Sequence, residues 1–255
     1  MMAYGRSRLL VIAVASLVLA SGSLAAEPAV PSAQDLLLES GLKGGLIVHV
    51  GCGTGETTAS LRTGEGFLVQ GLDADPNHVA AARKYVYDRG LSGVVSVALW
   101  TDLERLFYAE NMVNLLLVEI PGRLTDDELR RVLVPHGVAR VRTRDGQWRT
   151  LQKPWPAGMD GWSHWDHGAD GNPVSLDKLV GPPRRMQWTD GPSWSKKHWG
   201  PRLSAMVTSA GRLYCVQDET PTSLFNIEAR WVLIARDAFN GVVLWRRELP
   251  EWTGQ

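Results

Sequence analysis

The sequence predicts an α/β layer of parallel strands with flanking helices, followed by an all-β region, and three observations carry that expectation. Residues 45–55, Gly-Leu-Ile-Val-His-Val-Gly-Cys-Gly-Thr-Gly, set a short apolar run against a glycine turn. Further apolar runs alternate with helix-periodic stretches as far as about residue 140, the pattern of strands joined by crossover helices. Beyond that point the character changes: ten of the 11 tryptophans lie at or after Trp148, among short runs separated by turn signals.

Taken in order, Arg6 and Arg8 precede an uncharged apolar run at residues 9–20 and small residues ending in Ala25 and Ala26. This reads as a secretory leader over residues 1–26, too short for a comfortable membrane span, with an uncleaved anchor as the alternative. Residues 32–40 are helical in pattern, with Leu36, Leu37 and Leu38 on one side. Residues 46–50 form the first strand, and residues 56–61 the helix behind the glycine turn. The second strand covers residues 67–72. Pro76 then stands in the first turn of a helix reaching about Tyr87, a favoured place for proline. Residues 94–100 and 112–120 are the third and fourth strands, the latter apolar enough for the middle of a parallel sheet. Thr125 starts another helix, whose acids Asp126 and Asp127 precede Arg130 and Arg131 as the helix dipole favours. Such alternation gives a doubly wound layer with its ligand at the carboxyl ends of the strands.

Gly51, Gly53 and Gly55 let main chain approach a ligand with no Cβ in the way. A dinucleotide fingerprint needs Gly-x-Gly-x-x-Gly, and here Glu56 takes the place of the last glycine, which argues against NAD. Residues 48–55 resemble the first motif of the class I, Rossmann-like S-adenosylmethionine methyltransferases. Asp73, at the end of the second strand and before Ala74-Asp75-Pro76, resembles the family's ribose-binding acid, at about the 20-residue distance such an acid keeps from the glycine turn. Leu133-Val134-Pro135-His136-Gly137-Val138 is similar to the Leu-Lys-Pro-Gly-Gly turn before the family's fifth strand.

The resemblance implies a Rossmann-like domain over residues 32–145 that binds S-adenosylmethionine. Gly51, Cys52, Gly53, Thr54 and Gly55 would run beside the methionine part, Asp73 and Ala74 would meet the ribose, and Asp102 and Leu103 would meet the adenine. Methyl transfer asks the protein mainly to position donor and acceptor, with a general base where the acceptor loses a proton. Glu119, at the end of the fourth strand, stands where that base would be; a solvated strand-end residue is the other reading. Two departures stand out: His49 replaces the acid usual two residues before the first glycine, and the Asn-Pro-Pro-Tyr type motif of amine methylators is absent. With no counterpart to the family's last helix and closing strand pair, the layer is expected to be abbreviated to five strands.

Arg144-Asp145-Gly146-Gln147 signals a hairpin turn, and residues 153–158 a linker. Residues 146–202 form an aromatic lead-in, within which Lys196, Lys197 and His198 read as a solvated loop. His164, His167, Asp166 and Asp170 would suit a divalent metal by residue type, but their spacing is not that of a standard zinc motif. No metal site is assigned. Residues 233–245, Leu-Ile-Ala-Arg-Asp-Ala-Phe-Asn-Gly-Val-Val-Leu-Trp, resemble the repeat of quinoprotein-like (PQQ-like) β-propellers. That likeness implies a tight turn at Asn240-Gly241, a blade-packing role for Trp245, and one four-stranded blade within residues 203–255. A closed propeller takes four to eight blades, so the chain reads as a fragment.

The 255 residues carry 27 basic and 27 acidic side chains; without residues 1–25 the balance is 25 to 27. Nothing in it points to nucleic acid or an anionic surface. Cys52 and Cys215 are expected as two small buried hydrophobes rather than a bridge. Two function classes stay open: a methyltransferase with an unknown acceptor, small molecule or surface polymer, in an exported, periplasmic or extracellular protein; and an exported binding or scaffold protein whose methyltransferase-like layer is degenerate. A quinoprotein oxidoreductase ranks below the scaffold, because the adjacent cysteine pair and calcium ligands of active PQQ dehydrogenases are missing. PQQ itself is not supported by these residues, and oligomeric state is unread.

Overall fold

The computed structural model describes residues 32–120, 123–179, 181, 186–191, 203–220 and 227–252. Residues 1–26, expected from the sequence to be a secretory leader, and the basic stretch at Lys196, Lys197 and His198 lie outside them. Among the described residues no helix is long and apolar enough to cross a membrane.

The first part runs α1 (Ala33–Ser40), β1 (Gly45–Val50), α2 (Glu56–Ser60), β2 (Phe67–Asp73), α3 (Pro76–Asp88), β3 (Val95–Leu99), β4 (Val113–Val118), α4 (Asp126–Val132), β5 (Leu133–Arg142) and β6 (Trp148–Gln152). Caps fix the helix starts. Ser32, Asp75 and Thr125 each accept a main-chain N–H from the first turn of the helix they precede, which satisfies donors the helix cannot use itself.

These strands make one sheet in the order β3-β2-β1-β4-β5-β6, with β1 to β5 parallel and β6 antiparallel to β5. β4 is buried along its whole length, as a central parallel strand must be. On one face Ile47, Val69, Leu115 and Leu117 pack with α1 to α3. On the other, Val48, Val50, Leu116 and Val118 pack with Leu129 and Val132 of α4 and with Trp100 and Leu106 of the β3–β4 connection.

Two expectations are corrected here. The sheet has six strands rather than five and continues past residue 145: the predicted hairpin turn sends β6 back along β5, where Leu151 completes the second core face. The motif at residues 133–138 is also part of a strand rather than a turn before one. Leu133 and Val134 are buried and Leu133 pairs with Val113, so β5 begins as α4 ends and bulges at His136. His136 is held there at φ 64. For a residue with a side chain that left-handed conformation costs about 1–2 kcal/mol.

The second part contains β7 (Leu203–Ser209), β8 (Arg212–Asp218), β9 (Trp231–Asp237) and β10 (Val243–Glu248). They form a four-stranded antiparallel meander, β10-β9-β8-β7, with a small core of Cys215, Val232 and Ile234 backed by Val243. Cys52 and Cys215 are both free and buried. The turn between β9 and β10 contains Asn240 and Gly241, and Trp188 lies over Gly241 while its Nε1 donates to Ala238 O at 3.1 Å.

That turn docks on the amino end of the parallel sheet. Asn114, 5% exposed, donates through Nδ2 to Asp237 Oδ2 (2.7 Å) and accepts through Oδ1 from Leu46 N (2.8 Å) and Asn240 Nδ2 (2.7 Å). Beside this knot Leu244 lies directly on glycine backbone: a Cβ on Gly44 would meet its Cδ2 at 2.8 Å, and one on Gly66 would meet its carbonyl oxygen at 2.7 Å.

The buried knot yields the first prediction. Asn114→Ala strips partners from the Leu46 amide, the Asp237 carboxyl and the Asn240 amide together, and is expected to cost about 2–4 kcal/mol of stability, since each stranded buried polar group costs ~1–3 kcal/mol. Urea unfolding measures this, and a loss smaller than that of an ordinary surface substitution would show that the knot does not hold the two sheets together.

A candidate cofactor cleft at the carboxyl ends of the strands

In the order β3-β2-β1-β4-β5 the connections leave β1 in one direction and arrive at β4 in the other, so the crevice of the sheet opens between the carboxyl ends of these two strands. Gly51, Cys52, Gly53, Thr54 and Gly55 line it from β1, and Glu119 follows β4. Gly51 has φ 84 and lies under Ile120, whose Cγ1 would be 2.8 Å from an added Cβ. Gly53 has φ 50, and a Cβ there would meet nothing within 4 Å, so this bend faces open space. Thr54 is exposed, while Gly55 precedes α2 and is closed in by Ala82 of α3.

Asp73 ends β2 with its carboxylate turned towards this bend. Its Oδ2 accepts from Gly53 N at 2.9 Å; its Oδ1 accepts from Asp75 N at 2.9 Å and meets His78 Nδ1 at 3.2 Å. The side chain is 4% exposed, so these partners are what make its burial tolerable. Ala74 is exposed beside it.

Glu119 is bound to a buried histidine of β1. His49, 1% exposed, bridges Glu119 Oε1 through Nε2 at 2.8 Å and Thr58 Oγ1 through Nδ1, also at 2.8 Å. A Thr58–His49–Glu119 chain therefore crosses the floor of the crevice, with Glu119 at its partly exposed end.

Asp102 and Leu103 belong to the connection after β3, which is tied to β2 by Trp100 N donating to Asp73 O at 2.8 Å. Asp102 shares a cavity of about 380 Å³ with Leu99, Arg105, Phe107 and Tyr108. Its carboxylate accepts from Glu104 N within its own loop at 3.2 Å, and Leu103 O accepts from Arg123 N. The structure thus gathers the glycine bend, Asp73 and Glu119 at one point and sets Asp102 in a neighbouring hollow that Leu103 does not line. Thr58, His78 and Ile120 were missed by sequence reasoning. Only His78 had a usable signal, since it lies in the first turn of α3 behind the cap at Asp75.

The electrostatics limit what this cleft takes. A helix start behind a glycine turn commonly offers free main-chain amides to phosphate. Here the Gly53 amide is committed to Asp73, and Asp73 and Glu119 flank the bend, so the surface repels phosphate and suits a ligand with hydroxyl groups and positive charge. Elsewhere, His167 Nε2 pairs with Asp160 Oδ2 at 2.6 Å and His164 Nδ1 with Ser163 Oγ at 2.9 Å. Among the described residues no three metal-ligating side chains converge.

No family model and no curated protein matches the chain. Among solved structures, a candidate S-adenosylmethionine-dependent methyltransferase from Methanococcus maripaludis is similar at 19% identity and TM-score 0.40, over 45% of this chain and 55% of that one. A SAM-dependent methyltransferase from Aquifex aeolicus is similar at 24% identity and TM-score 0.38, over 43% and 62%. The [4+2]-cyclase SpnF is similar at 23% identity and TM-score 0.39, over 52% and 49%. The chain spans about half the length of these proteins.

Cys52 reports on the closure of the bend. Burial, reinforced by the Asp73 charge, pushes its thiol from 9.0 up to about 12. The folded state therefore holds the proton more tightly than the unfolded chain, and this contribution to stability is present below about pH 9 and lost as pH rises towards 12. Iodoacetamide at about pH 8 is expected to spare Cys52 in the folded protein and to modify it after denaturation, because only thiolate reacts. Rapid labelling of the native protein, read by mass spectrometry, would contradict this geometry.

Proposed function

We propose that this chain binds S-adenosylmethionine at the carboxyl ends of β1, β2 and β3 and directs its methyl group to an acceptor beside Glu119. One observation carries the reading: the glycine bend gives its amide to Asp73, so the cleft presents carboxylates where a nucleotide-phosphate site would present donors. A ribose bearing two hydroxyls and a sulfonium fit that surface. Among the described residues Asp73 Oδ2 has a single donor, which leaves a lone pair for a ribose hydroxyl. Open space over Gly53 admits the methionine part, and the hollow of Leu99, Asp102 and Phe107 offers apolar walls and one acid to a flat amine-bearing ring.

The cofactor supplies an electrophilic methyl on sulfur. The chain's own contribution is placement. Asp73 and the bend fix the donor side, and Glu119, held by His49, faces the acceptor and takes its proton where one must leave. The acceptor is a small molecule or a surface polymer. Residues 1–26 act as a leader that sends the protein out of the cytoplasm, and the four-stranded meander serves as a blade of the PQQ-like propeller type. A second reading, an exported scaffold whose α/β layer no longer catalyses, is favoured by the three donors already on Asp73 and by the histidine already on Glu119.

Calorimetric titration with S-adenosylmethionine and S-adenosylhomocysteine separates the two. Binding by the parent protein, weakened about tenfold or more in Asp73→Asn by the loss of ~1.4 kcal/mol or more, is expected for the enzyme. Absence of heat with the parent at millimolar ligand would leave the scaffold.

A further inference from the structure

At the opposite end of the parallel sheet, the two sheets enclose a second cavity. It has a volume of about 280 Å³ and is walled by Lys43, His136 and Asn114 on one side and by Arg212, Asp237 and Phe239 on the other. Loose packing does not explain it. A short distance away Leu244 meets Gly44 and Gly66 with no room for a methyl group, so the same interface is tight in one place and hollow in the next.

Its walls are chemically uneven. Lys43 and Arg212 are both exposed; among the described residues Lys43 has no ion-pair partner, and Arg212 stands directly across from Asp237 in the β8–β9 pairing, where its charge favours the ionised carboxyl. The one acid in the wall, Asp237, is taken up by Asn114 Nδ2, Phe239 N and Asn240 N. Two cations therefore border the hollow, Arg212 sharing its charge with the Asp237 carboxylate, whose oxygens are hydrogen-bonded within the protein. Between them lies an aromatic shelf: the His136 ring stacks on Trp155 at 5.5 Å, and Trp155 meets Phe239 edge-on at 6.2 Å. His136 occupies a left-handed backbone position that glycine would fill without strain, so the chain keeps an imidazole where its backbone disfavours one.

The geometry points to a second binding site, in the inter-sheet cavity, for a small organic anion with a flat ring. Its carboxylate or phosphate group lies between Lys43 and Arg212, and its ring lies against His136 and Phe239. Cavities at the junction of two units are common ligand sites, and this one is of a size for a one- or two-ring compound. It is separate from the carboxyl-end cleft and stands whether or not that cleft binds its cofactor.

The test uses the full chain with benzoate, its neutral isostere benzamide, and inorganic phosphate, followed by thermal unfolding, because a ligand of the folded state raises Tm with its concentration. Benzoate is expected to raise Tm, with phosphate less effective and benzamide without effect. The double substitution Lys43→Ala with Arg212→Ala, on exposed side chains outside the cores, is expected to weaken benzoate by about tenfold or more through loss of the charge-assisted contacts, with the folded state retained as a cooperative ligand-free unfolding transition. His136→Gly is expected to raise the ligand-free Tm and reduce the benzoate response. No response to benzoate, an equal response to benzamide, or a response that survives the double substitution overturns the site; phosphate as effective as benzoate overturns the role of the ring shelf.

Discussion

The side chain of Asn114 is the point through which the two halves of this protein hold each other. It sits low in the central strand β4, almost wholly buried, and it pairs at once with β1, with the end of β9 and with the turn that follows. A primary amide in such a place is costly unless every partner is in position. Because two of those partners lie 123 and 126 positions further along the chain, satisfying them fixes the antiparallel sheet on the amino end of the parallel one. The carboxyl end is left open, and the crevice with its glycine bend lies there.

The two ends carry opposite chemistry. At the carboxyl end Asp73 and Glu119 border the bend, and the amide of Gly53 has been drawn to a carboxylate. At the amino end the acid is hydrogen-bonded inwards, and Lys43 and Arg212, the latter across from that acid, border the hollow. The difference arises from which main-chain donors each carboxylate can reach. Asp73 finds Gly53 and Asp75 at the lip of the crevice, whereas Asp237 finds Phe239, Asn240 and Asn114 behind the cavity wall.

Much of the α/β layer was legible because its signals are local. Pro76 after Asp75, Thr125 before an acidic first turn, and an unbroken apolar run at β4 each dictate their element through a few neighbouring residues. The glycine bend and Asp73 were readable from spacing. What failed to show were facts decided by distant partners. β6 is a strand because β5 offers it an edge and the core accepts Leu151, neither of which is visible in Trp148–Gln152. The residues at 133–138 looked like a turn because they contain Pro135 and Gly137, yet pairing with β4 makes them a bulged strand. The link from His49 to Glu119 spans 70 positions, and no periodicity announces it. The role of Asn114 was equally silent, since an asparagine within an apolar strand gives no hint of what it will meet.

Leu244 resting on bare backbone at Gly44 and Gly66 has a consequence for how such a protein can change over generations. Loops elsewhere tolerate new side chains, but any residue larger than glycine at either position would wedge the sheets apart and expose the amide knot beside them. The joint is written into the α/β half by the absence of atoms and into the meander by Leu244, so a new side chain at either glycine would call for a matching change on the opposite side of the seam.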